Sequence, residues 1–313
     1  MSTLLALVAT VLTSFLPILN KYLLRDTAPA RVTWVINAAS LPILALGTFL
    51  LTQCSIIQST LFSCSMHIPH IDGIFIVALL ASTVLNWIAT LLSTYALAKA
   101  DASLVSPLLT FNPAFTLLIA WLTLGETPGL RQSFGVAVVL LGAYLLEVEE
   151  AHTGLLAPLR ILVRKPGTLL AFIASACWGA TTVLEKLSIE HMTPASGPFV
   201  ALVGTILLVV FLTPNAFLPL PTRRANTTTA IKGWRGLRAH PFALPIAVLL
   251  AGVAPLFGFT AIALGLVGYV TALFKLSSVL TILWAWWFLG EGNMRQRLLG
   301  AFVMLAGGIL IAV

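Results

Sequence analysis

The sequence predicts an all-α integral membrane protein of ten transmembrane helices, arranged as two inverted five-helix repeats. Three observations carry that prediction. Of 313 residues, 59% are hydrophobic and 9% charged, more apolar surface than a soluble domain of this size can hide. The apolar runs are about 20 residues long, the length a helix needs to cross a bilayer, and not the alternating segments of about 10 that build a membrane barrel. The second half of the chain also echoes the first at a constant offset.

Pro, Gly and charged residues bound the runs at 2–24, 30–51, 73–97, 102–124, 131–147, 168–189, 197–217, 242–264, 268–289 and 297–313. The first follows Met1 with no basic leader and no small-residue cleavage site before the next charges, so it reads as a retained helix and not a signal peptide. The longer connections are 52–72, 148–167 and 218–241. The last is basic and holds Asn226-Thr227-Thr228, which fits a glycosylation acceptor but is common by chance.

The repeat runs at an offset of 165. It relates Gly125-Glu126 to Gly290-Glu291, Trp121 to Trp286, Gly135 to Gly300, and Gly142 to Gly307. It also relates Ala96-Leu97-Ala98 to Ala261-Ile262-Ala263, Lys21 to Lys186, and Pro29 to Pro194. Residues 1–150 then form the first five-helix repeat and 151–313 the second, which includes the basic loop. Five is odd, so the second half enters the membrane inverted, with any site at the midplane between the halves.

Asn20-Lys21-Tyr22-Leu23 closes the first run, Ala102-Ser103 through Pro107 opens the fourth, and Leu124-Gly125-Glu126 closes it. Leu289-Gly290-Glu291 and Arg297 to Gly300 follow in the second half. On these motifs the whole chain resembles the EamA-like family of the drug/metabolite transporter superfamily. The resemblance implies a ten-helix metabolite carrier with a central cavity, an exporter or a proton- or exchange-coupled carrier, and says little about substrate.

Lys and Arg fall mainly after helices 1, 3, 5, 7 and 9, against Arg131 and Lys186 on the other side. The positive-inside bias places both termini outside. Cys54 and Cys64 then share an external loop, where a disulfide is open to them.

Chemistry rests on the polar groups held at depth. Lys275 lies in an otherwise uncharged run, roughly 10 Å inside the apolar layer, where a cation is costly unless paired, hydrated or holding something. Glu185 is the carboxylate well inside a span, at similar depth and on the same side as Lys275 by helix parity. The two read either as a site for an anionic group or a proton, or as a structural ion pair. Their repeat mates, Thr110 and Asn20, are neutral. Lys21 and Lys186 sit near helix ends, where snorkelling explains them as well as a site does. Asn86, Trp87 and Asn112 read as the remaining polar groups at depth, able to line a cavity or to join helices. Trp178, two turns before Glu185, and Tyr269 complete the candidate lining, while Trp284, Trp286 and Trp287 read as an interfacial belt. The glycines of helices 5 and 10 read as close packing, between those helices or in a dimer.

His67-Ile68-Pro69-His70 lacks a third metal ligand, and the chain has no Walker loop and no Ser/His/Asp constellation. No cofactor, resident metal, nucleic acid or enzymatic activity is expected. The expected function is secondary transport of a small polar metabolite, anionic or zwitterionic, by alternating access across a bacterial inner or cell membrane. Protons or an exchanged solute would couple to it, in a monomer or homodimer. Alternatives are a flippase or flippase subunit for a lipid or lipid-linked sugar, and a non-transporting scaffold or intramembrane enzyme.

Overall fold

The computed structural model describes residues 2–53, 70–109, 111–112, 114–115, 118–119, 129–145, 165–193, 196–218, 237, 241–264, 273–274, 276–292 and 294–312. Through them run α1 (Ser2–Leu23), α2 (Pro29–Gln53), α3 (Gly73–Lys99), α4 (Ala102–Leu109) and α5 (Leu130–Leu145). The second half supplies α6 (Pro166–Glu190), α7 (Gly197–Phe217), α8 (Ala243–Leu264), α9 (Leu276–Trp284) and α10 (Met294–Ala312). Two short strands, β1 (His70–Ile71) and β2 (Met192–Thr193), pair antiparallel between the start of α3 and the end of α6. Among the described residues, five helices, α1, α2, α3, α6 and α7, are long and apolar enough to cross a bilayer. The disulfide candidates Cys54 and Cys64, the glycosylation tripeptide and His67 lie outside the described residues.

Local chemistry sets the ends. Asp72 caps α3 by accepting a hydrogen bond from the Phe75 N–H at 2.9 Å. Pro166 opens α6 at a position where its missing N–H costs nothing. At the end of α9 the helix widens into a π turn over Ala285–Leu289, and Gly290 follows at φ 66°, a left-handed value that costs glycine little.

The helices pair as the repeat dictates. α1 packs on α8 and α3 on α6, and these two interfaces exchange under the repeat; α2–α7, α4–α9 and α5–α10 each map onto themselves. The α5–α10 contact shows the symmetry most directly. A Cβ at Gly142 would lie 2.7 Å from the Gly300 carbonyl oxygen, and one at Gly307 would lie 2.7 Å from that of Gly135. Both glycine pairs are repeat mates, so the close approach that the small stripes predict is made within one chain.

Large apolar side chains such as Leu4, Val77, Phe134 and Val210 face outward, as a lipid-facing surface requires. Trp286 and Trp287, 54% and 72% exposed, fit the expected belt, but Trp284 turns inward and donates to Ser14 Oγ at 3.0 Å. Trp284 therefore joins α9 to α1, because an indole N–H in a dry bundle must find an acceptor.

Gly142→Val is expected to destabilise the protein by roughly 1–3 kcal/mol through overpacking against backbone, read as a lower unfolding midpoint in detergent. Gly73→Ala, where a Cβ meets open space, should leave the midpoint unchanged.

Candidate functional site

A cavity of about 230 Å³ lies between α2, α3, α6, α7 and α8. Its wall on α3 is built from Leu79, Ser82, Thr83, Asn86 and Thr90, spaced by three and four residues and so on one helical face. Asn86 stands midway along α3, about 20 Å from either end. From there the cavity extends toward the end of the bundle that carries Asp72 and His191. Asn37 of α2, Glu185 of α6, Gly204 and Thr205 of α7, and Pro255 of α8 close the other walls.

Asn86 organises the α3–α6 wall. Its Oδ1 accepts from Trp178 Nε1 at 3.0 Å and from Thr90 Oγ1 at 3.2 Å. These bonds fix the indole of Trp178, two turns before Glu185 on the same face. Several lining hydroxyls are partly satisfied within their own helices, as Thr83 Oγ1 is by the Leu79 carbonyl at 2.7 Å and Thr205 Oγ1 by that of Ala201 at 2.7 Å. Glu185 differs: among the described residues no hydrogen-bond or ion-pair partner meets its carboxylate. A carboxylate so placed needs a positive partner or a proton.

The rim at this end is held by Asp72. Its Oδ2 lies 2.7 Å from His191 Nδ1, tying the start of α3 to the end of α6 beside the β1–β2 pair. The Phe75 N–H, and after it His191, hold the Asp72 carboxyl below its ordinary value.

The opposite end is closed by a denser cluster. Glu291 accepts from the Ala102 and Ser103 N–H groups at 3.0 and 2.9 Å, and from Ser103 Oγ at 2.5 Å. Arg297 donates to Ser103 Oγ and to Asp101 Oδ2 (2.9 Å), and lies 3.6 Å from Glu291 Oε2. The Glu291 and Arg297 side chains are only 8% and 9% exposed. Beside them Lys21 donates to the Ala100 carbonyl, and Tyr22 Oη to the Phe288 carbonyl at 2.5 Å.

Of the sequence candidates, then, Glu185 and Asn86 line the cavity and Trp178 is bonded to its wall. Trp87 faces α7, donating to Asn215 Oδ1 at 3.1 Å. Lys21 belongs to the closed end, and Asn20 lies one residue before it on α1, outside the cavity wall. Asn112 is half-buried in the segment after α4. Lys275 and Tyr269 lie outside the described residues, as does the Lys186 side chain. The sequence reading passed over Asn37, Ser82, Thr83, Thr90 and Thr205, and with Asn37 its list of polar groups at depth was incomplete. For the residues of α3 the signal was available: Ser82, Thr83, Asn86 and Thr90 form a polar stripe at helical spacing inside an apolar run.

A family model described as the EamA-like transporter family matches residues 1–148 and 165–313. A relative from Methanothermobacter thermautotrophicus, called an uncharacterized transporter, is 26% identical over 239 residues, which cover 76% of this chain and 64% of the relative. An uncharacterized protein of Methanocaldococcus jannaschii is 41% identical over 69 residues, 22% of this chain and 50% of the relative. The aligned regions thus span less than two-thirds of either relative. A solved crystal structure matches with a TM-score of 0.55 at 14% identity, covering 100% of this chain and 96% of the other, which supports the fold alone.

Arg297→Ala leaves the Glu291 carboxylate buried without its cation and is expected to cost roughly 3 kcal/mol, measured as a lower unfolding midpoint. The Glu291→Gln/Arg297→Ala double variant should lose less than the two single losses combined. At the other end, the lowered Asp72 value means that its stabilising contribution is present above the ordinary carboxylate range of about pH 4 and disappears as pH falls through the lowered value. In a pH series of unfolding midpoints, Asp72→Asn should therefore match wild type at the acid limit and fall below it near neutrality.

Proposed function

The chain belongs to the EamA-like transporter family, and from that premise we propose that it is a secondary carrier of a small zwitterionic solute, moved by alternating access. The observation that carries this reading is the cavity itself: built between the two halves, about 230 Å³ in volume, with Asn37, Ser82, Thr83, Asn86, Thr90, Glu185 and Thr205 set among apolar side chains in its wall. That volume is below the 300–1,000 Å³ usual for drug-sized ligands, which favours a solute of few heavy atoms. Glu185 supplies an acceptor for an ammonium group, a charge-assisted bond of the stronger kind. Asn37, Asn86 and Thr90 offer neutral hydrogen-bonding groups, and Trp178 fixes Asn86 from behind the wall. A purely anionic solute would leave the Glu185 carboxylate without a cation among the described residues, so within the anionic-or-zwitterionic class the zwitterion is favoured. A carboxylate on the solute would fall to Lys275 on the sequence expectation for that residue. Energy would come from a solute gradient or from protons.

A second reading, movement of a lipid or lipid-linked headgroup, draws on one observation. An open apolar groove lined by Ile74, Val77, Ala78, Ala81, Leu184 and Leu187 follows the same α3–α6 seam, and Leu184 is next to Glu185.

The test is uptake into proteoliposomes of radiolabelled L-alanine, L-lysine and succinate, with a fluorescent phosphatidylethanolamine as lipid probe. Uptake of an amino acid, falling by about 10-fold or more in Glu185→Gln, is expected from the loss of one charged hydrogen bond. Uptake of succinate alone would overturn the zwitterion reading, and lipid movement without uptake would favour the second.

A further inference from the structure

Hydrogen-bond roles divide the cavity along its length. Asp72 meets His191 and Asn86 meets Trp178, so α3 and α6 run antiparallel in register and Glu185 stands level with Leu79. A Cβ at Gly204 would lie 3.8 Å from Leu79 Cδ1, which puts neighbouring Thr205 of α7 near the same level. Ser82 and Thr83 are one turn deeper, about 5 Å. Side chains lean toward the start of their own helix. On antiparallel helices Glu185 therefore leans inward while Ser82 and Thr83 lean outward, toward one another. At the inner end Thr33 Oγ1 donates to Thr94 Oγ1 at 2.8 Å. Asn37 and Thr90, one turn from that bond on either helix, stand roughly 16 Å deeper than Leu79.

At the outer end every hydroxyl proton is already given away. Ser82 Oγ and Thr83 Oγ1 donate to the Leu79 carbonyl at 3.0 and 2.7 Å, and Thr205 Oγ1 donates to that of Ala201 at 2.7 Å. A carbonyl can only accept, so these directions are fixed and each hydroxyl keeps only lone pairs to offer. With the Glu185 carboxylate they form a set of acceptors that holds no free donor. The inner end differs. Asn86 Oδ1 accepts from Trp178 and Thr90, and Asn37 Nδ2 donates to the Thr33 carbonyl at 2.8 Å. Both amides therefore keep N–H groups to offer. A solute carboxylate finds donors at the inner end, and a cation finds oxygens at the outer end.

Charge asks for more than the solute brings. A zwitterion is neutral, so the loaded cavity keeps the negative charge of Glu185 inside an apolar bundle, a costly arrangement. One monovalent cation cancels it. Ser82 and Thr83 line the cavity and are each 2% exposed, a space for an ion smaller than water and not for an ammonium group. A proton would settle on Glu185 and make no use of the three hydroxyls. A hard cation takes several oxygens at once, carboxylate and neutral together.

We propose that the outer end of the cavity is a sodium site, formed by the Glu185 carboxylate with the Ser82, Thr83 and Thr205 hydroxyl oxygens, and that sodium is the ion coupled to solute movement. The coupling rests on the carrier reading above; the site rests on the acceptor set. The two carboxylate oxygens serve the ion and the solute ammonium together. The ion favours solute binding by cancelling the charge that a zwitterion leaves behind.

The test reads the unfolding midpoint of the full chain in detergent, without solute, in sodium, potassium and choline chloride at equal ionic strength. L-alanine uptake into proteoliposomes is then measured with each salt outside. Sodium chloride alone should raise the midpoint, and saturably. Thr205→Val keeps the shape and removes one oxygen, so it should raise the half-effect sodium concentration about 5-fold; Ser82→Ala should act in the same direction. Glu185→Gln should abolish the response, and if that variant does not purify, the other two carry the test. An equal response to all three salts, or one left intact by these substitutions, overturns the proposal. A midpoint that follows pH through Glu185 and ignores sodium also overturns it, giving the site to a proton. A response that appears only in Lys275→Met does the same, giving the neutralising charge to Lys275. Alanine uptake indifferent to sodium would sink the coupling and leave the carrier reading standing. Sodium binding with no uptake of any solute would support the site and sink that reading.

Discussion

The Glu291 carboxylate accepts two N–H groups from the start of α4 and a hydroxyl from Ser103, with the Arg297 guanidinium 3.6 Å away. The N–H groups at the start of a helix have no intrahelical acceptors, and in a membrane protein water does not readily supply them. A carboxylate is the strongest side-chain answer, both as acceptor and as a charge at the positive end of the helix dipole. Because Glu291 follows α9 and Ser103 opens α4, this one contact joins the second half of the chain to the first. The widened turn before Gly290 delivers Glu291 to that position, and Arg297, at the start of α10, completes it. The Gly-Glu motif is therefore a joint between halves more than the end of a helix.

Around that joint the two halves pair their helices alike and differ in chemistry. The α3–α6 seam carries Ser82, Asn86, Trp178 and Glu185; its image, the α8–α1 seam, carries Ala247, Ala251, Thr13 and Asn20. Polar groups in a bundle interior persist where they are satisfied or where they meet a polar space. Their concentration on one seam accounts for a cavity there and a packed apolar cluster on the other.

Much of this was legible in residue order. Hydrophobic runs of membrane-spanning length give the helices, and coincidences at one offset give the repeat; the Gly142–Gly300 and Gly135–Gly307 contacts show that the small stripes meant close packing. Trp178 and Glu185, seven residues apart, could be placed on one face from helical periodicity. Asn37 and Thr205 could not be assigned to the site from sequence, since each looks like an isolated polar residue in an apolar run. Trp284 was misleading for a related reason: it sits near a helix end, where an interfacial role is the usual one, and Lys21, also near a helix end, likewise gave no sign of its partner. Their partners, Ser14 at 270 positions' remove and Ala100 just past the end of another helix, are set by tertiary packing.

Sequence by itself determined the class, the places of the apolar runs, the inverted duplication and the presence of a few costly polar groups. Each of these follows from local composition and spacing, because lipid makes the same demand of every residue along a span. Tertiary structure decided which polar groups share a space. That depends on how helices rotate and cross, and the crossings are set by glycine contacts, by the Glu291 joint and by the satisfaction of buried donors between residues far apart in the chain.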